Sequence, residues 1–321
     1  MHTVFEALGN IGLVPVVKID DAEKAVPLAK ALSSGGIPCA EITFRTAAAA
    51  AAIERVSREA PDILLGAGTV LKPEQVDQAV AAGARFIVSP GFNPKVVERC
   101  IAKGVPIAPG CSTPSDMEAA LEMGLDTIKF FPAEPSGGLA YIKAVSAPYP
   151  SLKFMPTGGI SPANIASYLA YDKVLACGGS WMVPPEAVNA GDFDRISALC
   201  AEASAAVMGF SLAHIGINGA NEAEARRAAG LFGLLLGVPL KEGASSIFAG
   251  TAIEVMKTPY LGKNGHIAVG VNSLRRAIAF LERRGFSFNW ESQKLDPKGA
   301  PLAVYLQDEI AGFAVHLVRK N

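Results

Sequence analysis

Short apolar runs rich in β-branched residues recur along the first two thirds of the chain at a spacing of roughly twenty residues, with amphipathic stretches between them. The runs are Leu13–Ile19, Cys39–Arg45, Leu64–Val70, Phe86–Gly91, Pro106–Cys111, Thr127–Ala133, Phe154–Ile160 and Val174–Trp181, eight in all. Most end in or near Gly, Pro, Ser or Thr, residues that suit tight βα loops. Several following stretches open on helix-capping chemistry, such as Thr113-Pro114-Ser115-Asp116 and Ser161-Pro162. Repeated βα units of this kind predict an α/β fold, a (β/α)8 TIM barrel whose chemistry sits at the C-terminal ends of its strands. An open doubly wound sheet is the alternative, and the first βα turn lacks the GxGxxG pattern that would favour it.

The texture changes after Ala206. Two similar stretches follow, AHIGINGANEAEARRAAGLFGLLLGVPL closing in GTAIEVMKT, and GHIAVGVNSLRRAIAFLERRGFSF closing in GFAVHLVRK. Each reads as a strand, a helix and then further strands, so the last third is expected to be a duplicated βαβββ unit. Neither half buries a sheet face alone, whereas two together make a half-open barrel around a cleft. The expected division is residues 1–206 for the barrel and 209–321 for a smaller α+β domain.

Half of the residues are hydrophobic, and the net charge is −1 with Lys and Arg scattered, which gives no electrostatic footprint for nucleic acid or an anionic membrane. A small molecule is therefore the expected partner. The five cysteines show no CxxC pair and are odd in number, which suits reduced thiols rather than a disulfide framework. The first residues, MHTVFEALGN, have no basic segment followed by an apolar one, and the alanine stretch Ala47–Ala52 is too short to span a bilayer. The expectation is a soluble, cytoplasmic protein.

Lys129 stands inside the apolar run TIKFFPA. A lysine there either snorkels to water or stays where its ammonium is poorly solvated, which favours the neutral amine and hence Schiff-base chemistry with ketones. Glu41, in CAEITF, and Arg45, closing that run, are four residues apart and expected on one face of a strand. A desolvated carboxylate suits general acid-base work and an arginine fork suits a substrate carboxylate, although the two also suit a structural ion pair. Thr69 adds a hydroxyl beside the glycines of GAGT. Thr157-Gly158-Gly159 and Gly178-Gly179-Ser180 form two glycine turns in the seventh and eighth runs, where barrel loops bind phosphate.

The segments EITFRT, GAGTVL, SPGFNP, PGCSTPSD, IKFFPAE, PTGGI and GGSW occur in this order and closely resemble the 2-keto-3-deoxy-6-phosphogluconate (KDPG) and 4-hydroxy-2-oxoglutarate (KHG) aldolases over about residues 1 to 206. The resemblance implies Lys129 as the Schiff-base lysine and Glu41 as the proton shuttle. It implies Arg45 and Thr69 at the pyruvyl carboxylate, and Pro90 and Phe131 around the pyruvyl unit. Thr157 matches the residue sensing the C4 hydroxyl, and Gly158, Gly159 and Ser180 match the phosphate site. It further implies a lyase of the Entner–Doudoroff type of sugar-acid breakdown, working as a homotrimer on a small phosphorylated ketoacid, with no cofactor. Lys18 and Phe44 depart from the common pattern without removing a required group. A phosphate-binding isomerase or synthase with no Schiff base is the competing reading of the barrel.

Three of the four histidines fall in the last third. His214 and His266 match in the opening strands of the two halves, and Glu254 and His316 match in the closing strands. This arrangement resembles the vicinal oxygen chelate, or glyoxalase-like, fold over about residues 209 to 319, which implies a divalent metal held by these four residues. His316 stands where many members have glutamate, and three imidazoles with a carboxylate suit Zn, Ni, Fe or Mn. A metal-free domain that binds a metabolite or organises assembly remains the other reading.

Overall fold

The computed structural model describes residues 2–297 and 299–320. They form two compact units that divide between Val207 and Met208. Eight strands belong to the first: β1 (Leu13–Val17), β2 (Cys39–Thr43), β3 (Leu64–Gly68), β4 (Phe86–Val88), β5 (Ile107–Ala108), β6 (Thr127–Phe130), β7 (Lys153–Pro156) and β8 (Cys177–Gly179). Six pair in the order β5-β4-β3-β2-β1-β8 and two as β6-β7, every pairing parallel.

Two seams join these groups. Beyond β5, Gly110 bridges Lys129, whose amide donates to Pro109 O and whose carbonyl accepts from Cys111 N, both at 2.9 Å. At the other seam Phe154 bridges Val174 and Thr157 bridges Gly178. The circuit of eight strands is thereby closed as the expected barrel. Gly110 is needed where it stands, because a Cβ there would lie 2.0 Å from the Pro90 carbonyl oxygen.

Most strands end before their apolar runs do. Val70 and Ile160 lie beyond β3 and β7 yet are buried, so hydropathy persists after the backbone has left the sheet. The run Val174–Trp181 is strand only at Cys177–Gly179. At helix starts, Thr113 and Asp116 form a reciprocal capping box on helix Pro114–Glu122, with Pro114 at its first position. Ser161-Pro162 does not open a helix as expected; that helix spans Ile165–Leu169, and Asn164 Oδ1 instead accepts the Ser161 amide at 2.9 Å.

The second unit is one sheet of β9 (Ser211–Asn218), β10 (Leu240–Glu242), β11 (Ser246–Ala249), β12 (Ile253–Met256), β13 (His266–Val271), β14 (Phe288–Leu295), β15 (Pro301–Leu306) and β16 (Ala314–Arg319). Its order is β10-β11-β12-β9-β13-β16-β15-β14. Helix Glu222–Leu236 follows β9 and helix Leu274–Glu282 follows β13, which makes each half βαβββ. The halves meet where β9 runs antiparallel to β13. The first helix presents Ala225, Ala229 and Gly233, spaced at four residues, as its buried stripe, and the two alanines pack in a core with Ile247 and Val255.

All five cysteines are buried, and among the described residues none is in a disulfide. Burial pushes the Cys100, Cys111 and Cys200 thiols up to about 12, with Asp116 adding to the effect at Cys111. Among the described residues no helix is long and apolar enough to cross a membrane.

Candidate active site

Lys129 lies on β6, a strand buried along its whole length, and is only 6% exposed; Glu41, on β2, is 0% exposed. The Lys129 ammonium donates to Glu41 Oε1 at 3.4 Å. Glu41 Oε2 has no hydrogen-bond partner among the described residues. The Phe131 ring centroid stands 5.4 Å from Lys129 Nζ. A buried amine thus faces a buried carboxylate that keeps one acceptor oxygen uncommitted, an arrangement able to pass a proton to and from a group bound at the amine.

Room for that carboxylate comes from β3. A Cβ on Gly68 would lie 2.1 Å from Glu41 Oε1, so the Glu41 side chain fills the place of the missing methyl. The glycines of GAGT look from the sequence like a flexible turn beside Thr69; Gly68 is instead a strand residue registered against Thr43. Thr69 follows it with φ 56°, in the left-handed region that non-glycine residues seldom occupy.

Arg45, Phe131, Thr157, Gly158, Gly159, Gly178, Gly179 and Ser180 gather, with Val16, Ile160 and Trp181, around a cavity of about 300 Å³. Lys129, Glu41, Thr69 and Pro90 lie outside that lining. The expectation that Arg45 shares a strand face with Glu41 is corrected: β2 ends at Thr43 and Arg45 sits in the following turn. It reaches the cavity by that turn, with Nε donating to Thr43 Oγ1 at 3.1 Å. Buried Thr157 Oγ1 has no partner among the described residues, and a Cβ on Gly178 would come within 2.3 Å of it. Lys18 is engaged elsewhere, 2.8 Å from Asp20 Oδ1.

In the second unit, Glu254 on β12 and His266 on β13 both stand opposite Gly216 of β9, while His214 and His316 both stand opposite Ala268 of β13. The backbone therefore treats Glu254 and His316 as equivalent positions of the duplicated unit. A Cβ on Gly216 would lie 1.9 Å from the His266 ring, so glycine makes that approach feasible. His214 Nε2 and His266 Nε2 are 3.3 Å apart, and each is 3.1 Å from Glu254 Oε2. His316 does not join this three-donor group. Its ring lies 5.4 Å from the His214 and His266 rings and 4.5 Å from that of Tyr305, and its Nδ1 has no partner among the described residues.

Burial acts to raise the Glu254 carboxyl, but hydrogen bonds from His214, His266 and Ser246 outweigh it and hold the group well below the ordinary carboxylate value. Burial, with the neighbouring His266 and His214, pushes His316 down to about 3. Metal–imidazole and metal–carboxylate bonds of about 2.0–2.2 Å place adjacent donors roughly 3.3–3.6 Å apart in a tetrahedral site and roughly 2.8–3.1 Å apart in an octahedral one. The three donors here, 3.1–3.3 Å apart, fall between those two spacings.

The family model described as KDPG and KHG aldolase matches residues 4–199. The 2-dehydro-3-deoxy-phosphogluconate aldolase of Treponema pallidum (strain Nichols) is 55% identical over 199 residues, covering 62% of this chain and 95% of that protein. The KDPG aldolase of Legionella pneumophila, solved with pyruvate captured as a covalent carbinolamine intermediate, aligns with TM-score 0.59 and 41% identity over 61% of this chain and 96% of its own. The 2-keto-3-deoxy-6-phosphogluconate aldolase of Zymomonas mobilis ZM4, solved with 3-phosphoglycerate, aligns with TM-score 0.59 and 39% identity over 63% and 95%. With a closed parallel barrel, a buried lysine–carboxylate pair and a matched segment covering most of the first unit, the chain belongs to the KDPG and KHG aldolase family of lyases.

Proposed function

We propose that Lys129 is the Schiff-base nucleophile and Glu41 the proton shuttle of a class I aldol cleavage of 2-keto-3-deoxy-6-phosphogluconate or 4-hydroxy-2-oxoglutarate. The observation that carries this reading is the 3.4 Å contact between the two side chains deep in the barrel, with one carboxylate oxygen uncommitted. Lys129 gives up its ammonium proton to solvent, the neutral amine adds to C2 of the ketoacid, and the carbinolamine hydroxyl takes a proton from solvent and leaves as water to give a protonated imine. Glu41 takes the C4 hydroxyl proton as the C3–C4 bond breaks; its electron pair flows into the imine and leaves an enamine. The aldehyde product departs as glyceraldehyde 3-phosphate or glyoxylate. Glu41 returns the proton to C3, and hydrolysis frees pyruvate and the amine. Arg45 and Thr69 hold the pyruvyl carboxylate, Pro90 and Phe131 enclose the pyruvyl unit, Thr157 meets the C4 hydroxyl, and Gly158, Gly159 and Ser180 bind the phosphate. The pyruvate adduct and the three-carbon phosphate of the two solved relatives support this reading.

The test is borohydride reduction with pyruvate followed by peptide mass spectrometry. The adduct is expected on Lys129 and absent, with cleavage activity, from Lys129→Ala. A reduced adduct on Lys18 or another lysine would overturn the assignment, and no adduct at all would favour an isomerase or synthase.

For the second unit, residues 209 to 319, we propose a glyoxalase-like domain in which His214, Glu254 and His266 hold a divalent metal, with His316 beside them. Their 3.1–3.3 Å separations support this over a domain serving assembly alone. A metal bound there would supply Lewis acidity to an oxygen of a small ligand. The family resemblance supports a homotrimer, and an odd number of widely spaced cysteines in the sequence supports a cytoplasmic setting.

A further inference from the structure

The glycine turn on the cavity wall is gripped from behind through three successive carbonyls. Thr157 O accepts from Ala133 N at 2.8 Å, Gly158 O from Glu134 N at 3.0 Å, and Gly159 O from Asn164 Nδ2 at 3.0 Å. In a planar trans peptide the N–H points opposite to the C=O. Tying back these three carbonyls therefore turns the amides of Gly158, Gly159 and Ile160 the other way, and all three residues line the cavity. Consecutive amides aimed to one side form an anion-binding concavity. Gly158 and Gly159 reach this shape with φ of 98° and 82°.

Two of the three grips are backbone amides. The third is a side chain, and it is itself fixed, since Asn164 Oδ1 accepts the Ser161 amide at 2.9 Å. Glu134 lies under the same turn: a Cβ on Gly159 would meet its Cβ and Cγ at 2.6 Å, and its carboxylate accepts a hydrogen bond from the buried Tyr168 hydroxyl. Tyr168 is on helix Ile165–Leu169, directly after Asn164, so one short segment braces the turn both directly and through Glu134.

We propose that Asn164 is a positioning residue for phosphate recognition, setting the Gly159–Ile160 peptide so that the Ile160 N–H faces the substrate's phosphate. This rests on the pocket reading given above. Asn164 touches no reacting atom, so its removal is expected to act on the phosphorylated substrate and leave the lysine chemistry intact.

The test compares wild type and Asn164→Ala on 2-keto-3-deoxy-6-phosphogluconate and on unphosphorylated 4-hydroxy-2-oxoglutarate, with borohydride-trapped pyruvate counting competent sites. Asn164→Ala should raise KM for the phosphorylated substrate about tenfold, the effect of losing one well-placed hydrogen bond, while kcat stays within about twofold. KM for the unphosphorylated substrate and the trapping stoichiometry should match wild type. Asn164→Asp keeps the oxygen that serves Ser161 and loses the donor, so it should show the same selective loss. Equal losses on both substrates with fewer trapped sites would mean a structural role only and overturn the proposal, as would wild-type KM in either variant. If the wild type itself gains nothing from the phosphate, the pocket reading has failed and this role falls with it.

Discussion

Gly68 and Glu41 share one space: a methyl on residue 68 would sit 2.1 Å from Oε1 and 2.5 Å from Cγ of Glu41. The carboxylate is boxed between that glycine and Lys129, 3.4 Å away. Its placement depends on a neighbouring strand having no side chain at one position.

Gly68→Ala should therefore act on catalysis rather than on imine formation. Removing a glycine from a strand ordinarily favours folding by restricting the unfolded chain, but here the new methyl must displace the carboxylate. A shift of about 1 Å in a reacting group costs up to about a hundredfold. Steady-state cleavage should show kcat falling at least tenfold, roughly, with borohydride trapping of pyruvate on Lys129 retained. A wild-type kcat would show that the carboxylate's position is not limiting.

Glu41→Gln keeps the shape and removes the carboxylate oxygen that would carry the proton. General acid-base catalysis is worth about a hundredfold or more, so turnover should fall by that factor while the reduced pyruvate adduct still forms. Rapid-quench measurement of adduct and product separates the two steps. Adduct formation that falls in parallel with cleavage would place Glu41 in imine formation instead.

Much of this site was legible because it breaks the pattern around it. Lys129 and Glu41 are charges inside apolar strand runs, and two paired glycines recur at consecutive strand ends. What was hidden depends on registers between strands. Gly68 faces Glu41, and Gly178 faces Thr157, only once β2 is aligned on β3 and the end of β7 on β8. Strand alternation misplaced Arg45 because β2 ends two residues before it. Asn164 carries no signal in the sequence because Ser161-Pro162 has the look of a helix start, whereas the helix begins at Ile165 and Asn164 holds the turn. In the second unit the duplication was readable from matching histidines. That His316 stays outside the three-donor group depends on side-chain direction, which the repeat does not encode.

Ser180 borders the same cavity as both glycine turns. Ser180→Asp places a carboxylate beside the proposed phosphate site, and like charges there weaken the phosphorylated substrate selectively. KM for 2-keto-3-deoxy-6-phosphogluconate should rise by about tenfold or more, the cost of close like-charge contact, with a much smaller change for 4-hydroxy-2-oxoglutarate. An equal loss on both would place the phosphate elsewhere or mark a damaged fold.

The second unit is open to a direct test on the full chain. Elemental analysis of the purified protein should find about one divalent ion per chain, as two imidazoles and a carboxylate converging on one point predict. The double substitution His214→Ala, His266→Ala should abolish that ion, since it removes two of the three donors that lie 3.1–3.3 Å apart. Glu254 then keeps its hydrogen bond from Ser246 at 2.5 Å, which limits the cost of its burial, and circular dichroism should report an intact fold. Aldol cleavage should survive both this substitution and chelation, because the proposed Schiff-base chemistry at Lys129 uses no metal. If chelation of the wild type stopped cleavage, the division of labour proposed for the two units would be wrong, and the metal would have to serve the reaction at the lysine.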